Sequence, residues 1–270
     1  MPNTPRERLE LIPARRRGLI LERIRLRGSV AIQELSKDLS VSASTVRRDL
    51  ETLTGGGHLE RTHGGALIPR SALATFESES DVAARSAMME KTAIGQEAAR
   101  RLINGGSVVV DAGSTANAAA LALVGRNIAL TVITNSLAVA QICGGVAAVR
   151  IIVVGGTLRP GSSTLWGDPG RSFLGSVSAD LCLLGAHAIS GLLVSESSIE
   201  VAEIKRALMR AARRTILMAD SNKFQQRSFC TVCAVTEISE IITDDGIAPE
   251  PLSILRDAGV VVTLVRPGEA

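Results

Sequence analysis

The segment from Leu39 to Leu50, with the sequence LSVSASTVRRDL, predicts a tight turn followed by a capped, exposed helix. Ser42 is a favourable N-cap, because its hydroxyl can accept a hydrogen bond from a backbone N–H two or three residues further on. Val41 before this cap and Val46 at the fourth helical position form a hydrophobic staple that sets the entry angle of the chain. Leucines follow Val46 at spacings of four and seven residues, so one face of the helix is expected to be buried.

The opposite side of this helix carries hydroxyl and guanidinium groups. Such groups early on an exposed helix suit phosphate contacts and bidentate recognition of guanine in the major groove of DNA. A capped surface helix with solvated arginines is the alternative, and the helix alone does not separate the two interpretations. The candidate DNA-binding residues are Ser42, Ser44, Thr45, Arg47 and Arg48, together with Arg61 and His63 of the following segment.

The flanking sequence favours a DNA-binding module. A first helix is predicted over Arg15–Arg27, and Ser29 is a plausible cap for a second helix. The glycines Gly55–Gly57 are expected to end the third helix. His58–Ile68 then predicts two short strands around the turn Gly64-Gly65, a β-wing able to touch the DNA backbone. Residues 1–68 are therefore predicted to form a winged helix-turn-helix domain.

Two motifs in this region resemble the signature of a known family. Val41–Leu50 (VSASTVRRDL) and Arg61–Ala66 (RTHGGA) stand at the spacing found in the DeoR family of bacterial transcriptional regulators. The resemblance implies that Thr45, Arg47 and Arg48 face DNA. Helix geometry alone supports only the weaker statement that this helix fits a groove.

The charge distribution agrees with binding to double-stranded DNA. Residues 1–70 carry 13 Lys and Arg against 8 Asp and Glu, whereas the rest of the chain carries 17 against 19. The positive charge is thus concentrated where contacts with phosphates would release counterions. The same 70 residues contain no Phe, Trp or Tyr, and aromatic platforms are typical of proteins that read single strands.

The length of 270 residues fits two domains, of which the second is large enough to bury a substantial core. Residues 69–90 are rich in Pro, Ser, Ala and Glu without clear periodicity and are predicted to form a linker. Residues 91–270 are predicted to form an effector-binding and oligomerisation domain. No apolar run approaches the ~18 residues of a membrane span, and no secretory signal is evident, so a cytoplasmic protein without membrane partners is expected.

The second domain is predicted to be α/β, because short β-branched runs alternate with helical segments. Each run is closed by polar or glycine residues, as in Ser107–Val110 followed by Asp111–Thr115. In parallel sheets, ligands bind outside the carboxyl ends of the strands. Asp111–Thr115 supplies a carboxylate, a glycine and hydroxyls just before a predicted helix, an arrangement that suits phosphate. The chain contains no Walker motif and no strict GxGxxG, so no nucleotide or other cofactor is expected.

The resemblance to the DeoR family extends through this half, nearly to the C-terminus. The effector domain of that family resembles sugar-phosphate isomerases in fold and is taken to bind a phosphorylated sugar or related metabolite. The resemblance points to the following candidate effector-binding residues: Asp111, Gly113, Ser114, Thr115, Asn135, Gly156, Lys205, Asp220 and Lys223.

This chain departs from the family pattern near the candidate pocket. His187 stands where the family often has an aspartate, which removes a carboxylate. Val201 stands four residues before Lys205, where the family usually has an acidic residue; Glu200 and Glu203 are close but lie on different helical faces. The identity of the effector, including a non-sugar ligand, therefore stays open.

Three functions compete at this point. The first is a DNA-binding repressor, acting as a homo-oligomer on paired half-sites and released by a phosphorylated metabolite. The second is an isomerase-like enzyme fused to a DNA-binding module, with Asp111, Lys205 and Glu200 or Glu203 as acid–base groups. The third is an architectural DNA binder with a vestigial effector domain. The DNA-binding module, for which an isomerase has no use, favours the first.

The four cysteines, Cys143, Cys182, Cys230 and Cys233, include a single CxxC pair. A zinc site needs two further ligands, and the three histidines are too scattered to supply them. Buried free thiols and no metal site are therefore expected.

Overall fold

The computed structural model describes residues 13, 16–17, 19–20, 29–39, 41–55, 60–61, 65–67, 87–224 and 227–268. The chain divides into two compact units, Met1–Ala74 and Thr75–Ala270. The division falls within the segment predicted to be a linker, whose extent stays a prediction. The first helix described in the second unit begins at Met88, three residues before the boundary expected for the second domain.

The first unit combines helices with a three-stranded antiparallel sheet of order β1-β3-β2. Arg16, Arg17, Leu19 and Ile20 are helical, within the predicted first helix. The other elements are β1 (Ser29–Ala31), α1 (Ile32–Asp38), α2 (Ala43–Gly55), β2 (Glu60–Arg61) and β3 (Gly65–Leu67).

A single apolar cluster holds these helices together. The predicted stripe of α2, formed by Val46, Leu50 and Leu53, is buried as expected. It packs with residues from the preceding segments, and Val41 lies against the same cluster. The other buried members are Ile20, Val30, Leu35 and Leu39.

The prediction that Ser29 caps the second helix is wrong. Ser29 lies in β1, opposite Leu67 of β3, and α1 begins only at Ile32. Strand pairing across residues that are far apart in sequence overrides the local capping tendency of serine here. Gly65 is the first residue of β3 through its pairing with Ala31 of β1, and residues 62–64 lie outside the described residues, so the turn at Gly64-Gly65 stays a prediction.

The second unit confirms the predicted α/β class. Its core is a seven-stranded parallel sheet of order β15-β14-β12-β9-β4-β5-β6. The strands of this sheet are β4 (Ser107–Val110), β5 (Leu130–Thr134), β6 (Val149–Val153), β9 (Leu181–Gly185), β12 (Thr215–Met218), β14 (Glu240–Asp244) and β15 (Val262–Val265).

Helices cover both faces of this sheet. Side chains along a strand point alternately to opposite faces. Val108 and Val110 therefore join one apolar cluster, whereas Val109 joins the other. The first cluster includes α3 (Met88–Arg100), α4 (Ser114–Gly125) and α5 (Leu137–Gly144); the second includes α6 (Gly170–Leu174), α7 (Ile199–Arg210) and α8 (Pro249–Asp257).

Two smaller sheets were not predicted from the sequence. One is a hairpin of β7 (Thr157–Leu158) and β8 (Leu165–Trp166). The other is antiparallel and consists of β10 (Ala188–Ser190), β11 (Leu193–Glu196) and β13 (Cys230–Ala234). This second small sheet packs beside α7 and brings residues far apart in sequence to the carboxyl edge of the large sheet.

All four cysteines are free thiols, as expected. Cys143, Cys182 and Cys233 are buried, whereas Cys230 in β13 is partly exposed, so the prediction of burial is wrong for that residue. Among the described residues, no group of His, Cys, Asp and Glu side chains has the arrangement of a metal site. None of the helices in the described segments is both long and apolar enough to cross a membrane.

Candidate functional site

The cap predicted for the DNA-reading helix forms as expected. The Ser42 hydroxyl accepts a hydrogen bond of 3.1 Å from the backbone N–H of Thr45. The same hydroxyl lies 2.8 Å from the hydroxyls of Ser44 and Thr45. Three hydroxyls are thus gathered at the exposed start of α2, where the free N–H groups of a helix favour a negative charge such as a DNA phosphate.

Arg47 and Arg48 extend from the exposed side of α2. Within the described part of the chain, neither guanidinium takes part in an ion pair, and their role in DNA binding stays a prediction. Arg61 lies in β2, opposite Ala66 of β3, and its side chain lies outside the description. His63 falls outside the described residues, so its place in a wing stays a prediction.

Asp49 has a structural role that the sequence did not reveal. It is buried on α2 and accepts hydrogen bonds from Arg16 of the first helix, with distances of 2.6 Å from Nε and 3.3 Å from Nη2. This two-pronged geometry holds two helices at a defined angle. Asp49 therefore helps to orient α2, the helix that carries Arg47 and Arg48.

We expect Asp49→Asn to destabilise the first unit by about 1–3 kcal/mol, the usual cost of losing hydrogen bonds to a charged group. Amide hydrogen exchange in residues 43–55 should become roughly 5- to 150-fold faster, because opening of the helix becomes easier. Hydrogen-exchange mass spectrometry of the full chain measures this directly. Lys37→Gln, an exposed change on α1, is the control. Unchanged protection in Asp49→Asn would show that the ion pair does not stabilise α2.

In the second unit, the carboxyl ends of the central strands carry a buried network of charges. Lys205 of α7 lies at its centre, with Nζ 2.6 Å from Asp111 Oδ2 and 3.1 Å from Glu196 Oε1. Nζ also donates to the carbonyl of Gly185 at 2.8 Å. Asp111 Oδ2 in turn accepts from the Gly185 backbone N–H at 3.0 Å. The network ties β4, β9, β11 and α7 together.

The charge state of Lys205 follows from these neighbours. Burial lowers the pKa of its ammonium group, but the charges of Asp111 and Glu196 outweigh this effect and hold the pKa above its ordinary value. An ammonium has three N–H donors, and three acceptors surround this one. This geometry favours Lys205 as a residue that positions the site, rather than one that donates to an effector.

The loop after Asp111 leads into the N-terminus of α4. Gly113 has φ of 120°, a conformation that side-chain-bearing residues rarely adopt, and α4 begins at Ser114. Ser114 is half-buried and Thr115 is buried, and Gly113 itself is exposed. The start of a 12-residue helix flanked by hydroxyls offers N–H and O–H donors to an anion.

A second group of charges gathers beyond β12. Asp220 is buried after this strand, and its Oδ1 accepts from the Asn222 amide at 3.1 Å. Burial lowers the pKa of Lys91 on α3, the charge of Asp220 opposes this shift, and Lys223 adds to it. Lys91, Asp220 and Lys223 therefore lie within electrostatic reach of one another.

His187 is a further ionisable group within electrostatic reach of these charges. Burial lowers the pKa of His187, against the charge of Glu196, while Lys223, Lys205 and Arg159 lower it further. The neutral imidazole is thus the favoured form at neutral pH. The histidine that departs from the family pattern thus lies within electrostatic reach of both Lys205 and Lys223.

Asn135 and Gly156 lie on the other side of β4 and contact the β7–β8 hairpin instead. The Asn135 amide donates to the Leu165 carbonyl at 3.2 Å. Gly156 has φ of 138°, and a Cβ there would overlap the Trp166 backbone. The Arg159 guanidinium of this hairpin lies 5.8 Å from the centre of the Trp166 ring. Both predicted residues therefore position the hairpin that carries Arg159.

Sequence reasoning missed Glu196, Lys91 and Arg159. The second acidic residue beside Lys205, after Asp111, is Glu196. Neither Glu200, which is exposed, nor Glu203, which pairs with Arg171, takes that place. A signal for Lys91 was present, because it falls on the buried stripe of α3 with Ile94 and Ala98 at helical spacing. A lysine on such a stripe indicates an internal partner or a ligand.

A cavity of about 550 Å³ lies between α3 and β15, at the outer edge of the sheet. Its lining includes Glu97, Arg100, Asp245 and Arg266. None of the predicted effector residues lines it. The candidate site therefore rests on the convergence of buried polar groups, not on this cavity.

Comparison with protein families gives matches to both units. Residues 16–72 match the DeoR-like helix-turn-helix domain, and residues 86–245 match the DeoR C terminal sensor domain. The glycerol-3-phosphate regulon repressor of Escherichia coli K12 is 30% identical over 239 residues, covering 88% of this chain and 92% of the relative. The putative aga operon transcriptional repressor of E. coli O157:H7 is 33% identical over 252 residues, covering 93% of each chain.

Solved structures give weaker likenesses. Ribose 5-phosphate isomerase A from Neisseria gonorrhoeae aligns with a TM-score of 0.39 and 14% identity, over 51% of this chain and 53% of that one. The Pyrococcus horikoshii translation initiation factor eIF-2B aligns with a TM-score of 0.39 and 14% identity, over 82% and 70%. The family models, and the relatives aligned over most of their length, show that the chain belongs to the DeoR family of DNA-binding transcriptional regulators.

Proposed function

We propose that this regulator represses transcription from a double-stranded operator and is released when a phosphorylated sugar or related metabolite binds its second unit. The effector contacts the carboxyl edge of the large sheet, with its phosphate at the start of α4. The operator is read by α2 through Thr45, Arg47 and Arg48. The protein acts as a homo-oligomer, because helix-turn-helix readers commonly occupy two half-sites.

The observation that carries this proposal is the buried charge network at the carboxyl ends of the central strands, whose Asp111 lies three residues before the start of α4 at Ser114. Lys91 lies within electrostatic reach of Asp220 and Lys223. Arg159 lies within electrostatic reach of Glu196. A phosphate group is recognised by such donors and by the helix N-terminus. Two of the relatives are named as repressors of a glycerol-3-phosphate regulon and an aga operon, which supports a phosphorylated, sugar-derived effector.

The test starts with a duplex selected from a random pool by the purified full chain. Glycerol 3-phosphate, pentose 5-phosphates and hexose 6-phosphates are then added, each beside its unphosphorylated counterpart. One phosphorylated compound should dissociate the complex in fluorescence anisotropy. At 100 times its Kd it should stabilise the protein by about 2.7 kcal/mol, which raises Tm by roughly 5–10 °C for a unit of this size. Sedimentation of the DNA complex gives the number of chains bound.

We expect Ser114→Ala and Lys223→Ala to abolish this response while the selected duplex is still bound with unchanged affinity. Each change removes a donor that the phosphate would use. Both substituted residues belong to the second unit, so binding of the duplex by the first unit should be unchanged. Arg210→Ala, an exposed change at the end of α7, is the control and should respond as the natural chain does. Normal release from both variants would place the phosphate elsewhere. Release by an unphosphorylated compound would overturn the proposed effector class.

A further inference from the structure

Among the described residues, two buried carboxylate oxygens at the candidate site have no hydrogen-bond partner, Asp220 Oδ2 and Glu196 Oε2, and Glu196 is the one beside Lys205. Glu196 is 1% exposed, and its Oε2 has no hydrogen-bond partner among the described residues. A buried acceptor left unsatisfied destabilises the fold, and more so when the group is charged. Native structures rarely retain such a group without a function, so this oxygen calls for an explanation.

Glu196 is held by its strand pairing and by an ion pair at one carboxylate oxygen. Glu196 is the last residue of β11 and pairs with Cys230 of β13. Its Oε1 lies 3.1 Å from Lys205 Nζ, which fixes one end of the carboxylate. The buried Ser197 and the N-cap Ser198 of α7 follow immediately. The carboxylate is therefore held with one oxygen on the lysine and the other directed away from it.

The carboxylate of Glu196 lies within electrostatic reach of cationic and ionisable side chains from other segments. The charge of Glu196 acts on His187, on Arg159 and on Lys205. The cations suit the oxygens of a phosphate, but a carboxylate oxygen accepts hydrogen bonds and repels a phosphate. A ligand that satisfies both sets of groups carries an anionic group and, some distance away, a hydroxyl donor.

We propose that Glu196 Oε2 accepts a hydrogen bond from a hydroxyl of the phosphorylated effector and thereby determines which hydroxylated phosphate ester is recognised. The inference rests on the proposed function, because it assumes that a phosphorylated effector binds here. It assigns a specificity-determining residue at a position that the family resemblance did not indicate. A site built around a hydroxyl rejects the analogue that lacks it, because the buried acceptor stays unpaired.

The experiment compares the phosphorylated compound that gives the largest thermal shift with its monodeoxy analogues, by isothermal titration calorimetry on the full chain. For the natural chain, removal of one particular hydroxyl should weaken binding at least tenfold. Glu196→Gln has nearly the same shape but lacks the charge that strengthens the hydrogen bond. In this variant the parent compound should bind about tenfold more weakly, and the preference over that deoxy analogue should become smaller, because the amide oxygen is a weaker acceptor than the carboxylate.

Three controls keep the result specific. Inorganic phosphate, used at concentrations that saturate the natural chain, should bind Glu196→Gln within twofold of the natural affinity. Glu200→Gln removes an exposed carboxylate five residues before Lys205 and should keep the full preference. If Glu196→Gln does not fold, Glu196→Asp retains the charge beside Lys205, and its shorter side chain should lose the same preference.

The outcomes separate the two proposals. An undiminished deoxy preference in Glu196→Gln or Glu196→Asp overturns the role of Glu196 while leaving the phosphorylated effector in place. If the natural chain binds every deoxy analogue as tightly as the parent compound, the role of Glu196 is likewise overturned and the phosphorylated effector stands. Failure of the natural chain to bind any phosphorylated compound removes the proposed effector class, and this inference with it.

Discussion

Replacing Lys205 by methionine is expected to lower the free energy of unfolding of the second unit by about 3–5 kcal/mol. Methionine has a similar length, so the loss of packing is small. The lysine, however, lies between Asp111 and Glu196, and each of these carboxylates is at most 2% exposed. Without the ammonium group, two neighbouring negative charges stay buried and uncompensated.

Urea unfolding of the full chain, followed by circular dichroism, measures the effect. Arg210→Met, an exposed change on the same helix, should shift the transition by less than about 0.5 kcal/mol. A triple variant that combines Lys205→Met with Asp111→Asn and Glu196→Gln should recover most of the loss, because no unpaired charge remains. Equal stability of Lys205→Met and the natural chain would mean that the network contributes nothing to folding.

The pH dependence of this contribution follows from the direction of the pKa shift. The pKa of Lys205 is higher in the folded chain than in the unfolded one. Its contribution is therefore fully present below the ordinary value of 10.5 and is lost only as the pH rises through the higher folded value. The gap between Lys205→Met and the natural chain should stay constant between pH 6 and 9.

Replacing both Arg47 and Arg48 by alanine is expected to weaken specific binding to the selected duplex by about 2–6 kcal/mol, at least about 30-fold. Both side chains lie on the exposed side of α2, so their loss should leave the fold intact. A base-contacting arginine contributes to sequence preference, whereas a phosphate-contacting one contributes to salt dependence. The two single variants distinguish these roles.

Fluorescence anisotropy at several salt concentrations provides the measurement. A variant that loses one phosphate contact should reduce the slope of log K against log salt by about 0.9. A variant that loses a base contact should bind the selected and a scrambled duplex more equally. Arg150→Ala, an exposed change on β6, should behave as the natural chain. Unchanged affinity in the double variant would remove α2 from the DNA interface.

Much of the architecture was predictable from local sequence signals. The continuous apolar run Val108–Val110 predicts a strand covered on both faces, and the structure confirms it. The cap at Ser42 and the apolar stripe that begins at Val46 predict α2, because both depend on residues only a few positions apart. Such signals predict structure because apolar residues recur at the period of a helix or a strand within a short stretch of sequence.

The remaining features depend on contacts between distant residues. Ser29 belongs to a strand because β3, more than thirty residues later, is there to pair with it. Glu196 reaches Lys205 because β11 joins a separate antiparallel sheet with β13. No periodic pattern in the sequence of β1 or β11 predicts these pairings. Arg159 likewise lies on a short hairpin, whose two-residue strands are too brief to predict from the sequence.

The position of Trp166 gives the protein an optical reporter of its own. The chain contains a single tryptophan and no tyrosine, so nearly all of its near-ultraviolet fluorescence arises from one ring. That ring lies in β8 beneath the Arg159 guanidinium, on the hairpin next to the candidate site. Emission from the unlabelled protein therefore reports on one place in the second unit, without interference from the DNA-binding unit, which carries no aromatic fluorophore of this kind.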